Sequence, residues 1–175
     1  MRIVSGKYKG RRLTPGNLPV RPTTDFAKEG LFNVLNNLVD FELLSVLDLF
    51  AGTGSISFEF LSRGAKEVTA IDSNHRCINF IKNTAERLGA ENLKAVRTDC
   101  FVFIRQMAAD YDLIFADPPY DLERLEELPG LVLSSRLLAP EGLFILEHGS
   151  FHTFDGHARF AFQRKYGNVG FSFFK

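Results

Sequence analysis

A repeated alternation of short apolar runs with segments of helical spacing limits the possible folds of this chain more than any other pattern in it. Residues 43–50, 67–72, 93–99 and 111–120 form four such runs, and residues 143–149 form a fifth. This alternation is typical of parallel strands joined by right-handed helical crossovers. Strands that are buried on both faces read as continuous apolar runs. The sequence therefore predicts a doubly wound, Rossmann-like α/β fold with a mostly parallel sheet.

Segments at both ends extend this predicted sheet. Residues 160–175 form two runs around a Tyr-Gly-Asn turn, which predicts an antiparallel pair at one edge and a seven-stranded sheet. The Leu-rich stretch after residue 120 is expected to be helical as far as Gly142. Near the start, a helix packed against the sheet is predicted, with Thr23, Thr24 or Asp25 as its N-cap. Its apolar stripe comprises Phe26, Leu31, Leu35 and Leu38.

Charge is distributed unevenly along the chain. The 175 residues carry no net charge and are 45% hydrophobic, which suits one core, yet residues 1–24 hold six cations and no acid. Their glycines and prolines suggest a hairpin or extended arm outside the core, so we divide the chain into an arm, 1–22, and a domain, 23–175. An anionic partner is expected to meet the arm first. The cations are Arg2, Lys7, Lys9, Arg11, Arg12 and Arg21, with Tyr8 among them. Interleaved aromatic and basic residues suit single-stranded RNA, but a solvated hairpin face remains the alternative for Tyr8.

Several classes of protein are not favoured. No run of about 18 apolar residues is present, which predicts a cytoplasmic protein with no membrane partner. Cys77 and Cys100 are not spaced as a metal site and are expected to be reduced. His148, His152 and His157 lack a completing carboxylate or cysteine, so no metal is expected.

The first predicted strand ends in the turn DLFAGTG at residues 48–54. Glycine there lets the backbone approach a ligand that a Cβ would push away, although a tight turn alone also requires glycine. A dinucleotide fingerprint would have a third glycine where this chain has Ser57. The turn therefore favours a methyl donor over a dinucleotide. Its candidate cofactor residues are Asp48, Phe50, Ala51, Gly52, Thr53 and Gly54.

Acidic residues also end the next two predicted strands. Asp72 is placed to accept the hydroxyls of a ribose, and Asp99 is placed to accept a hydrogen bond from an adenine amine. Each could instead be the N-cap of the following helix. Because the carboxyl ends of parallel strands share one edge, Asp48, Asp72 and Asp99 are expected to converge.

The most specific signal is Asp117-Pro118-Pro119-Tyr120, which follows the fourth predicted strand. The two prolines fix φ and remove backbone donors, so the loop presents carbonyl oxygens and a carboxylate. The nitrogen lone pair of a base amine is delocalised into the ring. Asp117 and the Pro118 carbonyl could hold its two hydrogens and aim the nitrogen at a methyl group, while Tyr120 stacks on the base. The alternative is a proline stop to an edge strand with Tyr120 in the core.

These motifs resemble those of a known family. DLFAGTG with DPPY resembles the amino-methyltransferases of nucleic-acid bases, and RIVSGKYKGRRL with RPTTDFAKEGLFN resembles the RsmD family, which methylates N2 of a guanine in 16S ribosomal RNA. The resemblance implies direct methyl transfer from S-adenosylmethionine, leaving S-adenosylhomocysteine, on RNA that is free or within a small-subunit particle. It implies an RNA-holding arm and catalysis by residues 117–120. The implied cofactor site comprises residues 48–54, Asp72, Ser73, Asp99 and Cys100, with Thr23 and Thr24 closing over the methionine end.

The sequence departs from the family pattern at two places, and three other functions are considered. Gly30 stands where the family usually has a helix former, and the acidic stretch 121–130 leaves the substrate side of the site open. An adenine-N6 methyltransferase acting on DNA or RNA would share the loop chemistry. A catalytically inactive RNA-binding module would share the fold, although the intact DPPY argues against it. A small-molecule amine methyltransferase would not explain the basic arm.

Overall fold

The computed structural model describes residues 1–16, 18 and 24–175, so Arg21 and Thr23 lie outside the described residues. The helices are α1 (Asp25–Leu35), α2 (Ser55–Ser62), α3 (His75–Leu88), α4 (Cys100–Gln106) and α5 (Leu128–Leu133). The strands are β1 (Ser45–Asp48), β2 (Glu67–Asp72), β3 (Leu93–Arg97), β4 (Tyr111–Ala116), β5 (Leu138–Gly149), β6 (Phe160–Tyr166) and β7 (Val169–Phe174). Two 3-10 turns, Phe41–Leu43 and Leu125–Glu127, complete the described elements.

The seven strands form one sheet in the order β3-β2-β1-β4-β5-β7-β6. β1 to β5 pair in parallel, while β7 is antiparallel to both β5 and β6. This confirms the predicted fold class and the antiparallel edge. The chain order reverses between β1 and β4, and a crevice at the carboxyl ends of the strands is expected at such a point.

Two predicted helices end earlier than expected. α1 stops at Leu35, and Phe26, predicted in its apolar stripe, is 69% exposed because Ala27, Leu31 and Phe32 form the buried face instead. α5 stops at Leu133, and residues 138–142 belong to β5, so the prediction of a helix to Gly142 was wrong. Pro140 explains why the helix does not extend to Gly142, since proline cannot occupy a helix interior and disfavours helical backbone at the residue before it.

The departure at Gly30 has a packing reason. A Cβ at this position would lie 2.3 Å from Cε1 of Tyr166, a β6 side chain whose hydroxyl donates to the Gly30 carbonyl oxygen at 3.0 Å. Glycine therefore costs helix propensity but lets α1 approach the antiparallel edge of the sheet.

The N-terminal hairpin, residues 1–13, is part of the core. Residues 2 and 12 form an antiparallel bridge, and the Ile3 amide donates to the Arg11 carbonyl oxygen at 3.0 Å. Ile3, Tyr8 and Leu13 are buried in the same apolar cluster as α1 and α2. The expectation that this segment lies outside the core was therefore wrong. Its apolar residues are too few for a regular stripe, so the pattern gave no sign of their burial.

Buried polar groups hold the hairpin in place. Glu59 of α2, which is fully buried, accepts hydrogen bonds from the amides of Val4 at 2.8 Å and Ser5 at 3.1 Å. The Arg63 guanidinium pairs with the same carboxylate at 3.0 Å. The buried Lys28 ammonium donates to the Arg2 carbonyl oxygen at 2.6 Å. Burial lowers the pKa of Lys28, against the opposing influence of Glu59 and Asp25. The hairpin is thus tied to both α1 and α2.

His148, the first of the three histidines considered as metal ligands, lies inside the protein. His148 is buried in β5, where its Nε2 lies 2.8 Å from the Ser172 hydroxyl and its Nδ1 lies 2.8 Å from the Gly149 carbonyl oxygen. Burial lowers the pKa of His148. Within residues 1–16, 18 and 24–175, no cluster of three potential metal ligands occurs. Over the same ranges, no helix is long and apolar enough to cross a bilayer.

Candidate functional site

A cavity of about 680 Å³ opens at the carboxyl ends of the parallel strands. The segments that follow β1, β2, β3 and β4 contribute to its wall, the last of them being the DPPY loop, and β5 contributes Glu147 from within the strand. The lining residues are Thr24, 48–53, Ser55, Ile56, 72–74, Cys77, 99–101, Phe115, 117–122, Glu147 and Val169. The cofactor and catalytic residues predicted from the sequence thus share one cavity, apart from Gly54, which does not line it, and Thr23, which lies outside the described residues.

The cavity wall has a strongly acidic character. Among the described residues, no lysine, arginine or histidine lines it. Its acidic members are Asp48, Asp72, Asp99, Asp117, Asp121 and Glu147. A wall of this kind attracts cations and hydrogen-bond donors, whereas it repels phosphate groups. The cavity therefore suits a positively charged ligand and not a dinucleotide.

Asp72 is held in place by the backbone of two loops. Its Oδ2 accepts from the Gly52 amide and its Oδ1 from the Asn74 amide, both at 2.8 Å. Asn74 is the N-cap of α3, since its side chain accepts from the Arg76 amide at 2.9 Å. The alternative of Asp72 as the helix cap is therefore not what the structure shows. Each carboxylate oxygen keeps acceptor capacity for a ligand hydroxyl.

Asp99 and Thr24 do cap helices. The exposed Asp99 carboxylate accepts from the Val102 amide at 3.0 Å and so begins α4. Thr24 Oγ1 accepts from the Ala27 amide at 3.2 Å and begins α1. Both residues also line the cavity. A cap uses one acceptor position of the side chain, so it leaves the remaining oxygen positions for a bound molecule.

Asp48 is one of the two buried acids of the cavity wall, with Glu147. Its Oδ2 accepts from the Ser57 hydroxyl at 2.6 Å, while Oδ1 has no hydrogen-bond partner within the described part of the chain. Burial raises the pKa of Asp48 to about 7, and the nearby Asp72 carboxylate acts in the same direction. Ser57 stands where a dinucleotide fingerprint would have its third glycine. This position thus serves to hold the Asp48 carboxyl.

The turn after β1 places its two glycines differently. Both adopt the left-handed region, with φ of 51° at Gly52 and 75° at Gly54. Gly52 lines the cavity and presents its amide to Asp72. Gly54 is the N-cap of α2, and a Cβ there would meet Ile81 and Phe58 at 3.0 Å. Gly54 therefore serves packing behind the cavity wall.

The two cysteine thiols are free and buried. Burial raises the pKa of Cys77 to about 11, with Asp72 adding to the effect, and burial raises the pKa of Cys100 to about 12, with Asp99 adding to it. Both thiols are therefore protonated near neutral pH and are poor nucleophiles. Their position in the wall supplies apolar surface.

The DPPY loop continues directly from β4. Asp117 is partly buried, Pro118 is buried, and Tyr120 is 56% exposed. The ring of Tyr120 is thus at the mouth of the cavity and not in the core. The alternative of a proline stop with a core tyrosine does not describe this arrangement. The loop lies where the sheet order reverses, between Asp48 at the end of β1 and Glu147 near the end of β5.

The predicted RNA-binding residues have different surroundings. Lys7, Lys9, Arg11 and Arg12 are exposed on the hairpin. Arg2 is half exposed and pairs with acids of α1, at 4.0 Å to Asp25 and 3.6 Å to Glu29. The Tyr8 ring is buried, with the Lys7 ammonium 5.3 Å from its centroid.

Sequence reasoning missed several lining residues. Glu147 in β5 is 2% exposed, and the apolar run at 143–146 before it made it read as part of a buried strand. Ser55 and Phe101 each follow a predicted residue by one position, and Val169 begins β7. An acid within a buried strand next to the DPPY strand was the one available signal for Glu147.

Known proteins resemble the chain over most of its length. The family described as conserved hypothetical protein 95 matches residues 1–175. A protein of Escherichia coli K12 named ribosomal RNA small subunit methyltransferase D is 37% identical over 150 residues, which cover 84% of this chain and 74% of that protein. The Haemophilus influenzae protein of the same name is 33% identical over 152 residues, covering 84% and 78%. A solved Escherichia coli structure named "Putative methyltransferase yhhF" is 30% identical, with a TM-score of 0.85 over 99% of this chain and 96% of that one.

The strand order, the acidic cavity and the DPPY loop together define a Rossmann-like methyltransferase. The chain belongs to the family described as conserved hypothetical protein 95, which is the RsmD family that its motifs resemble.

Proposed function

We propose that this protein transfers a methyl group from S-adenosylmethionine to the exocyclic N2 amine of a guanine in 16S ribosomal RNA of the small subunit. The observation that carries the proposal is that the acids after β1, β2 and β3 and the DPPY loop line one cavity. The relatives named as small-subunit ribosomal RNA methyltransferases support the substrate class.

The residues fit the proposed cofactor. S-adenosylmethionine supplies a methyl group from a positively charged sulfur and also carries an ammonium group, so a wall rich in carboxylates favours it. Asp72 would hold the ribose hydroxyls, because both of its oxygens are oriented by backbone amides. Asp99 would accept from the adenine amine. Thr24 and the turn at 48–53 would contact the remaining parts of the molecule.

The DPPY loop would hold the target base. The Asp117 carboxylate and the Pro118 carbonyl oxygen would accept the two hydrogens of the amine, which restricts its rotation and directs the nitrogen lone pair toward the methyl group. After transfer, Asp117 or water would take the surplus proton. Tyr120 would stack on the base, which must leave its own stack to enter the cavity. Since both lining thiols are protonated, transfer would be direct, without a covalent enzyme intermediate.

The exposed cations of the hairpin would contact the phosphates beside the target. The hairpin packs along α2, whose eight residues span about 12 Å at 1.5 Å per residue. Met1 lies near the cavity, since its sulfur is 2.9 Å from the Thr53 hydroxyl, while the Lys7 amide donates to the last carbonyl oxygen of α2. RNA could therefore reach from the hairpin turn to the cavity mouth.

The test is a methyl-transfer reaction with labelled S-adenosylmethionine and small-subunit RNA, offered naked and as assembled particles. The RNA is digested to nucleosides, and the methylated nucleoside is identified by mass spectrometry. N2-methylguanosine is the expected product. N6-methyladenosine would contradict the base assignment, and cofactor binding without any product would indicate an inactive RNA-binding module. The Asp117→Ala variant is the negative control.

A further inference from the structure

We propose that Glu147 is the residue that selects guanine, by accepting a hydrogen bond from its N1–H group while the N2 amine is held by the DPPY loop. This inference rests on the proposed function, and it assigns a role to a side chain that neither the motifs nor the resemblance include. The observations are its position on the sheet edge, its burial and its charge.

The position of Glu147 separates it from the cofactor side of the cavity. β5 pairs in parallel with β4, and Ala116 is aligned with Leu146. The next residue of each strand is Asp117 and Glu147, so these two residues lie side by side. Their backbones are separated by one strand spacing, about 4.8 Å. β2, which carries Asp72, is three strand spacings from β5, or about 14 Å. Glu147 is thus adjacent to the proposed amine site and remote from the proposed ribose site.

Burial makes a carboxylate at this position informative. Glu147 is 2% exposed, yet it contributes to the cavity wall. An ionised group in such a place costs free energy unless hydrogen bonds compensate it. Glu147 already has an interaction within the protein. A carboxylate has about four acceptor positions, so the same side chain can serve a group of the protein and a ligand donor together.

The edge of guanine matches an acceptor here, and the edge of adenine does not. In guanine, the N1–H donor is adjacent to the N2 amine, so two neighbouring carboxylates can accept from both groups. In adenine, the nitrogen beside the N6 amine is an acceptor, and it would face a carboxylate with no proton between them. A site built to accept a hydrogen bond discriminates strongly against a ligand that lacks the donor. Glu147 would therefore exclude adenine even though the DPPY loop could hold its amine.

The experiment changes the hydrogen-bonding group at N1 of the base and the side chain at position 147 of the protein. The wild-type enzyme and Glu147→Gln are compared in single-turnover reactions on small-subunit RNA with guanine or 2-aminopurine at the methylated position. 2-Aminopurine keeps the amine but has an acceptor at N1. We expect the wild-type enzyme to prefer guanine by roughly 10- to 100-fold, the scale of one specific base contact. In Glu147→Gln the amide can donate to the acceptor, so the preference should fall at least tenfold and 2-aminopurine should react faster than with wild type.

Controls separate base selection from folding and from cofactor binding. Glu141→Gln changes an exposed glutamate on the same strand and should leave the base preference unchanged. Thermal unfolding and S-adenosylmethionine affinity of Glu147→Gln should stay close to wild type. An unchanged base preference in a folded Glu147→Gln protein would overturn the proposal. Weaker binding of S-adenosylmethionine together with an unchanged base preference would overturn it too. If the mapped product is not N2-methylguanosine, the proposed function itself fails, whereas N2-methylguanosine with an unchanged preference refutes only the role of Glu147.

Discussion

The cavity and the N-terminal hairpin carry opposite charges within a chain that has no net charge. The cavity wall holds six carboxyl groups and no described basic side chain. The hairpin exposes Lys7, Lys9, Arg11 and Arg12, and residues 1–16 contain no acidic side chain. Both regions are anchored by buried polar groups, Asp48 in the cavity and Glu59 beneath the hairpin. Net charge therefore describes neither surface, and the two regions attract different ligands.

The regions also differ in what their charged groups do. Glu59 accepts hydrogen bonds from two backbone amides and a guanidinium of the protein, so it holds the hairpin on α2. Asp72 is fixed by two amides but remains partly exposed at the cavity. Four changes test whether one region is a structural anchor and binding surface and the other a reaction site.

The strongest effect should be on stability, from Glu59→Ala. The change leaves the Val4 and Ser5 amides without their acceptor and Arg63 without its partner, and breaking a buried pair of this kind costs about 3–5 kcal/mol. Denaturant unfolding measures it. Glu86→Ala, at an exposed glutamate of α3, should stay within about 0.5 kcal/mol of wild type. If Glu59→Ala lost no more stability than Glu86→Ala, the hairpin would not be anchored by the Glu59 carboxylate.

The next effect is on turnover, from Asp117→Ala. If the Asp117 hydrogen bond to the amine is strongest in the transition state, kcat should fall about 10²- to 10³-fold, the scale for one positioned polar group. Asp117→Asn should lose less, because the amide keeps a carbonyl acceptor. Single-turnover transfer with both substrates saturating provides the measurement.

Binding constants for cofactor and RNA, measured separately, serve as the control for Asp117. They should change little in either variant. Equal losses of turnover in the alanine and asparagine variants would indicate a true general base instead of an orienting acceptor. Turnover near that of wild type in a folded Asp117→Ala protein would remove the DPPY loop from the chemistry.

A smaller effect is expected on cofactor affinity, from Asp72→Ala. Losing a hydrogen bond to a charged group should weaken S-adenosylmethionine binding by about 1–3 kcal/mol. Because Asn74 and not Asp72 caps α3, the fold should survive. Titration calorimetry measures the affinity, and Asp155→Ala, at an exposed acid outside the cavity, is the matched control. Unchanged affinity would leave Asp72 only the role of joining the Gly52 and Asn74 loops.

The sequence predicted the fold and the site to different depths. The mostly parallel sheet, its antiparallel edge and the convergence of Asp48, Asp72 and Asp99 followed from alternation and from acids at strand ends, because these depend on local pattern and on a shared sheet edge. Burial of Ile3, Tyr8 and Leu13 could not be predicted, since it depends on a carboxylate 55 residues away from Val4. Glu147 was missed for a related reason. One acid in an apolar strand becomes meaningful only when its neighbouring strand is known.

The weakest effect should be on the salt dependence of RNA binding. Removing the whole arm would expose the core, because Ile3, Tyr8 and Leu13 are buried, so single substitutions are the better test. Lys7→Ala, Lys9→Ala and Arg11→Ala should each lower the slope of log K against log salt by about 0.7 for every phosphate that the side chain no longer neutralises, with cofactor affinity unchanged. Arg2→Ala should change it less, since Asp25 and Glu29 already pair with Arg2.

Lys82→Ala, at an exposed lysine of α3, is the control. A slope that falls equally in the Lys82 and hairpin variants would mean that RNA is held by diffuse charge and not by the hairpin. A slope unchanged in all three hairpin variants would place the RNA elsewhere and leave the hairpin as an anchor of the fold alone.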